Sequence, residues 1–312
     1  MDINISIVVP VYNGAESLFE LHQRIKIVLE SLSLSYEIIL INDNSKDNSL
    51  SVMKSLNQQD PRVKIISLMK NFGQHNAIMC GFNHAEGNYI VTMDDDLQNP
   101  PEEIPRLLAK VQEGYDVVIG KPLEKKHAAY KNFGSFLIGK SFEKIFKKPK
   151  SLKMSSFRIL HRSIVQNIIQ SKTPNPMIDA LILSNTLNII NVEVRHDERK
   201  FGNSGYSISK SVKLAFDLLI NYSTIPLRFI TLNGFFFAII GLMVAIYVVL
   251  GKIFGTISIT GWASTIALIS IFSGLTLMSF GIVGEYLARI IGEVSSFKQY
   301  VIKESSYDQD YI

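Results

Sequence analysis

Four short apolar segments, each followed by a segment with helical periodicity, constrain the fold of this chain more than any other feature. They are Ile5–Tyr12, Tyr36–Asp43, Val63–Met69 and Asn88–Asp94. Their length and their β-branched residues predict strands rather than helices. Strands that alternate with helices form a mainly parallel sheet through right-handed crossovers. The sequence therefore predicts an α/β domain whose sheet is covered by helices on both faces.

Polar residues stand at the carboxyl end of every predicted strand. In chain order these ends are Tyr12-Asn13, Asn42-Asp43, Lys70-Asn71 and Asp94-Asp95-Asp96. Ligands of parallel sheets bind beyond the carboxyl ends of the strands. Any one of these ends is compatible with ordinary loop chemistry, but four together predict a binding site at this edge.

The triplet Asp94-Asp95-Asp96 indicates what binds there. Adjacent carboxylates repel each other, and burial makes ionisation more costly still. The chain has neither G-x-G-x-x-G after the first strand nor G-x-x-x-x-G-K-[ST] anywhere, so the common dinucleotide and P-loop sites are not predicted. Divalent cations such as Mg²⁺ and Mn²⁺ prefer oxygen ligands and bridge carboxylates to phosphates. The sequence thus predicts Mg²⁺ or Mn²⁺ between the triplet and a diphosphate.

Composition excludes several other classes of protein. Cys80 is the only cysteine, so no internal disulfide forms, and a reducing cytoplasmic setting fits. No His or Cys cluster has the spacing of zinc ligands. The isolated histidines are interpreted as surface residues or as residues that support a site: His75, His84, His161 and His196. A net charge of +4 is mild, and no nucleic-acid partner is predicted.

Two uncharged apolar segments near the C-terminus are each long enough to span a membrane. They are Phe229–Leu250 and Ser264–Gly284. Lysines and arginines precede the first and follow the second, so the positive-inside rule places the first domain and both termini in the cytoplasm. The short loop Gly251–Ala263 is then outside. The flanking segments are amphipathic, which favours helices that either lie in the membrane interface or pack against the first domain.

The predicted domain organisation has four parts. They are a catalytic domain over residues 1–206, an interfacial helix over 207–228, a two-helix hairpin over 229–284, and a cytoplasmic juxtamembrane helix and tail over 285–312.

Several motifs together point to one family. They are VVPVYN (Val8–Asn13), INDNSKD (Ile41–Asp47), KNFGQHNA (Lys70–Ala77), MDDDLQNPPEEIP (Met93–Pro105), SFRIL (Ser156–Leu160), RKFGNSGYS (Arg199–Ser207) and TIPLR (Thr224–Arg228). With them the chain resembles family 2 glycosyltransferases of the GT-A fold. More narrowly it resembles the polyprenyl-phosphate glycosyltransferases, among them dolichol-phosphate mannose synthase, bactoprenol glucosyltransferase and the aminoarabinose transferase.

The resemblance implies a reaction and a location. A sugar would move from a nucleotide diphosphate-sugar to polyprenyl phosphate, undecaprenyl or dolichyl, with inversion and with metal dependence. The multi-pass protein would work at the cytoplasmic face of the cell (inner) membrane, and related enzymes suggest a homo-oligomer. Two alternatives stay open. A processive polysaccharide synthase would carry a Gln-x-x-Arg-Trp element, but the only tryptophan is Trp262. A catalytically degenerate membrane scaffold is suggested by departures from the family pattern at Ser156 and Gly205.

The resemblance also assigns roles by position. The nucleotide-sugar would be bound by Pro10, Tyr12, Asn13, Asp43, Lys70, Asn71, Gly73, Asp94 and Asp95. The metal positions are Asp94, Asp96 and Gln98. Phosphates would be bound by Arg158, Arg199 and Ser204, and the catalytic set is Asp96, Arg158 and Ser156.

Ser156 and Gly14 depart from the family pattern. Ser156 stands where the family has an aspartate, its candidate catalytic base, and Gly14 stands where a glutamate is usual. A lipid phosphate has a second pKa of about 6, so it is largely ionised at neutral pH. Such a nucleophile needs positioning more than proton removal. The serine therefore favours a phosphate acceptor over a sugar hydroxyl.

Overall fold

Eight strands form one mixed sheet in the part of the chain that the computed structural model describes, residues 3–123, 142–143, 145–198, 225–254, 261–294 and 298–307. The strands are β1 Ile5–Val11, β2 Tyr36–Asn42, β3 Val63–Leu68, β4 Tyr89–Thr92, β5 Val117–Pro122, β6 Arg158–His161, β7 Ile189–Val194 and β8 Ile302–Ser305. Their order across the sheet is β7-β5-β6-β4-β1-β2-β3-β8.

Helices connect these strands. They are α1 Leu18–Ser31, α2 Ser49–Gln59, α3 Gln74–His84, α4 Ile104–Gln112 after a 3₁₀ turn at Pro101–Glu103, α5 Arg162–Ile168, α6 Ile178–Asn185, α7 Ile225–Ile253 and α8 Trp262–Val294. The described residues divide into two compact units. The first contains the sheet, α1 to α6 and residues 298–307, and the second contains α7 and α8.

The predicted α/β architecture is confirmed. β1 pairs in parallel with β2 and β4, and β2 pairs in parallel with β3. Side chains alternate along β1, so Ile7 packs in one apolar cluster with α1, α2 and α4. Val8 packs in a second cluster with α3, α5 and α6. Burial on both faces explains why these strands are continuous apolar runs.

The C-terminal segment of the first unit is a strand, where the sequence predicted a juxtamembrane helix. α8 ends at Val294, and Ile302–Ser305 pairs antiparallel with β3, with Ser67 opposite Glu304. The prediction of a helix is therefore wrong for β8. These residues form a strand because the edge of β3 would otherwise be unpaired, and its backbone groups gain hydrogen-bond partners from the returning chain. Met69 N donates to Val301 O over 2.9 Å, and Ser306 N donates to Ile65 O over 2.9 Å.

The second unit consists of two long apolar helices. Both are long enough and apolar enough to cross a membrane, over Pro226–Met243 and Ile271–Ala288, and neither stretch is buried within the protein. Phe237 of α7 and Phe272 of α8 meet edge to face with ring centroids 6.2 Å apart. α7 also includes the last residues of the predicted interfacial helix, whose residues 207–224 lie outside the described chain.

Candidate active site

The carboxyl ends of four parallel strands meet at one edge of the sheet. β4, β1, β2 and β3 are consecutive in the sheet, so the polar residues that follow them are neighbours. This places Tyr12, Asp43, Lys70 and Asp94 at the same edge. The tyrosine side chain is 47% exposed and is accessible to a planar ligand.

Asn13 shapes the loop after β1. Its φ of 55° lies in the left-handed region, which asparagine tolerates better than most residues. Its backbone N–H donates to Ser45 Oγ over 3.0 Å, and its Oδ1 accepts from Lys46 N over 2.8 Å. The side chain predicted to bind the donor thus ties the loop after β1 to the loop after β2. Pro10 is half-buried within β1 itself.

Asp43 holds the loop between β3 and α3. Its buried carboxylate accepts from Phe72 N over 2.7 Å and from Gly73 N over 2.8 Å. Burial raises the pKa of Asp43, and the two amides act in the opposite direction. Gly73 has a φ of 90°, which favours glycine, and α3 begins directly after it. The same loop presents Lys70, whose Nζ lies 5.0 Å from the ring centroid of Phe72, and the exposed Asn71.

Asp94 is oriented by hydrogen bonds from two directions. Ser156 Oγ donates to its Oδ2 over 2.6 Å, and Gln74 Nε2 donates to its Oδ1 over 2.7 Å. The backbone of Ser156 is held in turn, because its carbonyl accepts from Thr92 Oγ1 over 2.6 Å. Ser156, at the position where the resemblance implies a carboxylate, therefore supports the acidic triplet directly.

The carboxyl group of Asp95 lies in surroundings that disfavour its ionised form. Its Oδ2 is buried without a hydrogen-bond partner. Burial, followed by the charges of Asp94 and Asp96, raises the pKa of Asp95 to about 7. Gly14 makes room for it, since a Cβ at that position would clash with Asp95 Oδ2. The glycine that departs from the family pattern thus accommodates the middle carboxyl group.

We expect Gly14→Ala to destabilise the protein by about 1–3 kcal/mol, the usual cost of overpacking, and to weaken binding of Mn²⁺. The added methyl group displaces the carboxyl group of Asp95 and with it the triplet. Thermal unfolding and calorimetric titration check the two effects. The double variant Gly14→Ala/Asp95→Ala removes the clash, so its destabilisation should be smaller than the sum of the single ones. A Gly14→Ala protein with the melting temperature of the wild type would contradict this packing.

Asp96 and Gln98 lie in a tight turn after β4. Gln98 N donates to Asp96 Oδ1 over 3.1 Å, and Leu97 between them has a φ of 61° although it is buried. A non-glycine residue in this region is held there by its surroundings at a cost on the order of 1–3 kcal/mol. Asp197 N donates to Gln98 O over 2.8 Å and fixes the turn from outside.

The triplet fits a divalent cation that also binds a substrate. No group of three His, Cys, Asp or Glu side chains is placed to hold a metal ion by itself within the described ranges. Mg²⁺ commonly uses one or two carboxylates and completes its shell with phosphate oxygens and water. The unpartnered Oδ2 and the raised pKa of Asp95 show that negative charge here lacks compensation. An oxygen-rich, anionic donor set of this kind suits a hard cation.

Arg158 is buried, although it was predicted to contact phosphate. It begins β6 and is 2% exposed. Its Nη1 donates to Asp179 Oδ1 over 2.5 Å, and its Nε is buried without a partner. Asp179, in the first turn of α6, was not among the predicted site residues. The two other predicted phosphate-binding residues, Arg199 and Ser204, lie outside the described residues, as does Gly205.

Comparison with known proteins gives concordant results. Residues 6–169 match the model of the family described as glycosyl transferase family 2. An undecaprenyl-phosphate 4-deoxy-4-formamido-L-arabinose transferase from Proteus mirabilis (strain HI4320) is 36% identical over 303 residues, which cover 96% of this chain and 93% of the relative. The protein with the same description from Photorhabdus laumondii is 35% identical over the same shares of the two chains.

Solved structures share the fold at low sequence identity. Mannosyl-3-phosphoglycerate synthase from Rubrobacter xylanophilus matches with a TM-score of 0.53 and 15% identity, over 72% of this chain and 74% of that one. Glucosyl-3-phosphoglycerate synthase from Mycobacterium tuberculosis, in complex with Mn²⁺, UDP and phosphoglyceric acid, matches with a TM-score of 0.51 and 13% identity, over 70% and 76%.

Proposed function

Because the chain belongs to glycosyl transferase family 2, we propose that this glycosyltransferase moves a sugar from a nucleotide diphosphate-sugar to polyprenyl phosphate at the cytoplasmic face of the membrane. One observation carries the proposal: the likeness to undecaprenyl-phosphate sugar transferases extends over 96% of the chain, so it includes both the sheet domain and the apolar hairpin.

The donor binds along the polar edge of the sheet. Tyr12 is exposed there, and Asp43 fixes the loop that carries Lys70. The base and ribose lie along this part of the edge, and the diphosphate lies towards the acidic triplet. Asp94 and Asp96, with Gln98, would hold Mg²⁺ or Mn²⁺. When bound, that cation supplies positive charge that stabilises the departing nucleotide diphosphate.

The acceptor reacts as an ionised phosphate. Its oxygen attacks the anomeric carbon on the side opposite the leaving diphosphate, so one C–O bond forms as another breaks and the configuration inverts. Ser156 Oγ donates a hydrogen bond to Asp94 Oδ2 over 2.6 Å, so the role of the serine is to orient this carboxylate. A general base is not required, because the phosphate is already largely a dianion at neutral pH. We therefore expect positioning and charge stabilisation to supply most of the rate enhancement.

The returning C-terminal strand supports a cytoplasmic location for both termini. β8 pairs with β3 in the first unit, while α7 and α8 lie between them in the chain. If both helices span the membrane, the chain must leave and re-enter the compartment of the catalytic domain. The lysines and arginines that flank the two apolar segments support the cytoplasm as that compartment.

Cysteine labelling tests this topology. We expect an impermeant maleimide to label Ser258→Cys in intact cells and Gln112→Cys only after lysis, because residue 258 stands between α7 and α8 in the sequence and Gln112 is exposed at the end of α4. The native Cys80 stays silent, since burial raises the pKa of its thiol to about 12. Labelling of Gln112→Cys in intact cells would contradict the proposed orientation.

A substrate panel tests the reaction itself. Purified protein is incubated with undecaprenyl phosphate, Mg²⁺ or Mn²⁺, and each of several UDP-, GDP- and dTDP-sugars, and the lipid is then measured by mass spectrometry. We expect one sugar to be added per lipid, with no product when the lipid is undecaprenol. Products that carry a growing sugar chain would identify a processive synthase. The absence of any lipid-linked sugar across the panel would refute the proposal.

A further inference from the structure

Unpartnered polar atoms concentrate at the candidate site. Buried side-chain polar atoms without a hydrogen-bond partner occur at six positions among the described residues, His22, Tyr36, His75, Asn76, Asp95 and Arg158. The last four belong to elements that meet at the acidic triplet or next to it. A buried donor or acceptor left unpaired costs about 1–3 kcal/mol. Such a concentration is the pattern that a site for a polar ligand shows before the ligand is bound.

His75 and Arg158 each lie within two residues of a side chain that donates a hydrogen bond to Asp94. Gln74, which precedes His75 in the first turn of α3, donates to Asp94 Oδ1 over 2.7 Å. Ser156, two residues before Arg158, donates to Asp94 Oδ2 over 2.6 Å. Asp94 thus connects the beginning of α3 with the beginning of β6. The charge of Arg158 acts on the imidazole of His75, which is consistent with this proximity.

Asp179 holds Arg158 by one N–H group, while the buried Nε–H of the guanidinium has no partner. The Nη1 of the guanidinium donates to Asp179 Oδ1 over 2.5 Å. A guanidinium N–H can only donate, so whatever binds Nε must offer an acceptor oxygen. The pair carries no net charge, and burial lowers the pKa of His75, which favours its neutral form. Its Nδ1 is the second unpartnered nitrogen and donates in one of the two tautomers of the neutral ring.

We propose that His75 Nδ1 and Arg158 Nε together bind phosphate oxygens of the lipid acceptor, and that Asp179 is a positioning residue that holds the guanidinium of Arg158 for this contact. The inference rests on the proposed function and adds two residues, His75 and Asp179, to the phosphate site. Phosphate oxygens could also come from the donor diphosphate. The acceptor is favoured because Arg158 begins β6, which lies on the opposite side of β4 from β1, β2 and β3, whose loops are assigned to the donor.

Substitutions at His75 distinguish the two nitrogen atoms of its ring. An asparagine amide nitrogen comes close to the place of Nδ1, whereas a glutamine amide nitrogen comes close to the place of Nε2. We expect His75→Ala to raise the KM for undecaprenyl phosphate roughly tenfold or more, the size expected for a hydrogen bond to a charged group. The KM for the nucleotide-sugar should stay within about twofold by the same reasoning. His75→Asn should recover most of the loss and His75→Gln little of it.

Asp179→Asn tests the positioning role. The amide keeps the shape of the side chain but weakens its hold on Arg158, so the KM for undecaprenyl phosphate should rise while the KM for the nucleotide-sugar is unchanged. His161→Ala is the matched control, because His161 is an exposed histidine whose Nδ1 lies 2.8 Å from Ser163 Oγ. It should change neither KM.

The outcomes separate this inference from the function on which it rests. Wild-type protein that forms no lipid-linked sugar refutes both. Active wild-type protein with an unchanged KM for undecaprenyl phosphate in His75→Ala refutes the inference alone. A KM that rises only for the nucleotide-sugar also overturns it, because the unpartnered nitrogen atoms would then serve the donor diphosphate.

Discussion

Replacing Asp96 with alanine is expected to reduce sugar transfer by a factor on the order of 10³, the loss expected when charge stabilisation of a leaving group is removed. Asp96 follows β4 in the turn that also holds Gln98, and its side chain is half-exposed. Its removal therefore leaves the core intact. The diphosphate would then face the remaining acidic residues without the full set of ligands for a compensating cation.

Transfer to undecaprenyl phosphate, measured over a range of Mn²⁺ concentrations, checks this expectation. The matched control is Asp197→Ala, which removes an exposed carboxylate next to the same turn but leaves the backbone bond from Asp197 N to Gln98 O in place. The control should retain most of the activity, and both variants should keep the melting temperature of the wild-type protein without metal. Full activity of Asp96→Ala in chelator-treated membranes would exclude the proposed metal role.

The first strands of the sheet could be predicted because their signal is local. β1 and β2 are continuous apolar runs followed by turn residues, and both end within one residue of the predicted position. β8 could not be predicted in this way. Its four residues follow an amphipathic helical pattern, and they form a strand because the edge of β3, more than 200 positions earlier in the chain, is free to pair. Tertiary pairing of this kind overrides local propensity.

The candidate site likewise contains residues that the sequence locates and residues that only the fold brings to it. Asp43 and the triplet Asp94-Asp95-Asp96 could be located because they directly follow strands in the sequence. His75 and Asp179 could not. The histidine stands alone in the sequence, and an acidic residue in the first turn of α6 is accounted for by the helix dipole. Their significance depends on contacts among α3, β6 and α6, which no local pattern encodes.

Arg158→Ala is expected to abolish transfer and also to destabilise the protein, for separate reasons. Removal of one partner leaves the carboxylate of Asp179 uncompensated in a largely buried position, with a side chain that is 24% exposed. Breaking a buried ion pair typically costs about 3–5 kcal/mol, and partial exposure favours the lower end. A loss of about 3 kcal/mol, the lower end of that range, corresponds to a fall of about 6–12 °C in melting temperature for a domain of this size. Activity is lost because the acceptor phosphate loses the Nε–H donor.

A double substitution separates the two effects. Arg158→Met/Asp179→Leu replaces the ion pair with apolar side chains of similar volume, a change that is often neutral or stabilising in buried positions. We expect this variant to regain most of the lost melting temperature while transfer remains at least roughly 100-fold below wild type, which corresponds to about 2.7 kcal/mol of transition-state stabilisation. Ser156→Ala is the contrasting variant. Its loss should stay under about tenfold, because the serine orients Asp94 and does not remove a proton.

These variants together distinguish a structural role of Arg158 from a role in the reaction. If Arg158→Met/Asp179→Leu recovered both stability and transfer, the guanidinium would act only as the partner of Asp179, and its unpaired Nε would have no ligand to bind. If Ser156→Ala instead lost a factor of roughly 10²–10⁴, typical for a general base, the serine hydroxyl would take part in proton transfer. An ionised phosphate acceptor has no proton to give up at its attacking oxygen, so that result would require a different acceptor, one with a hydroxyl group.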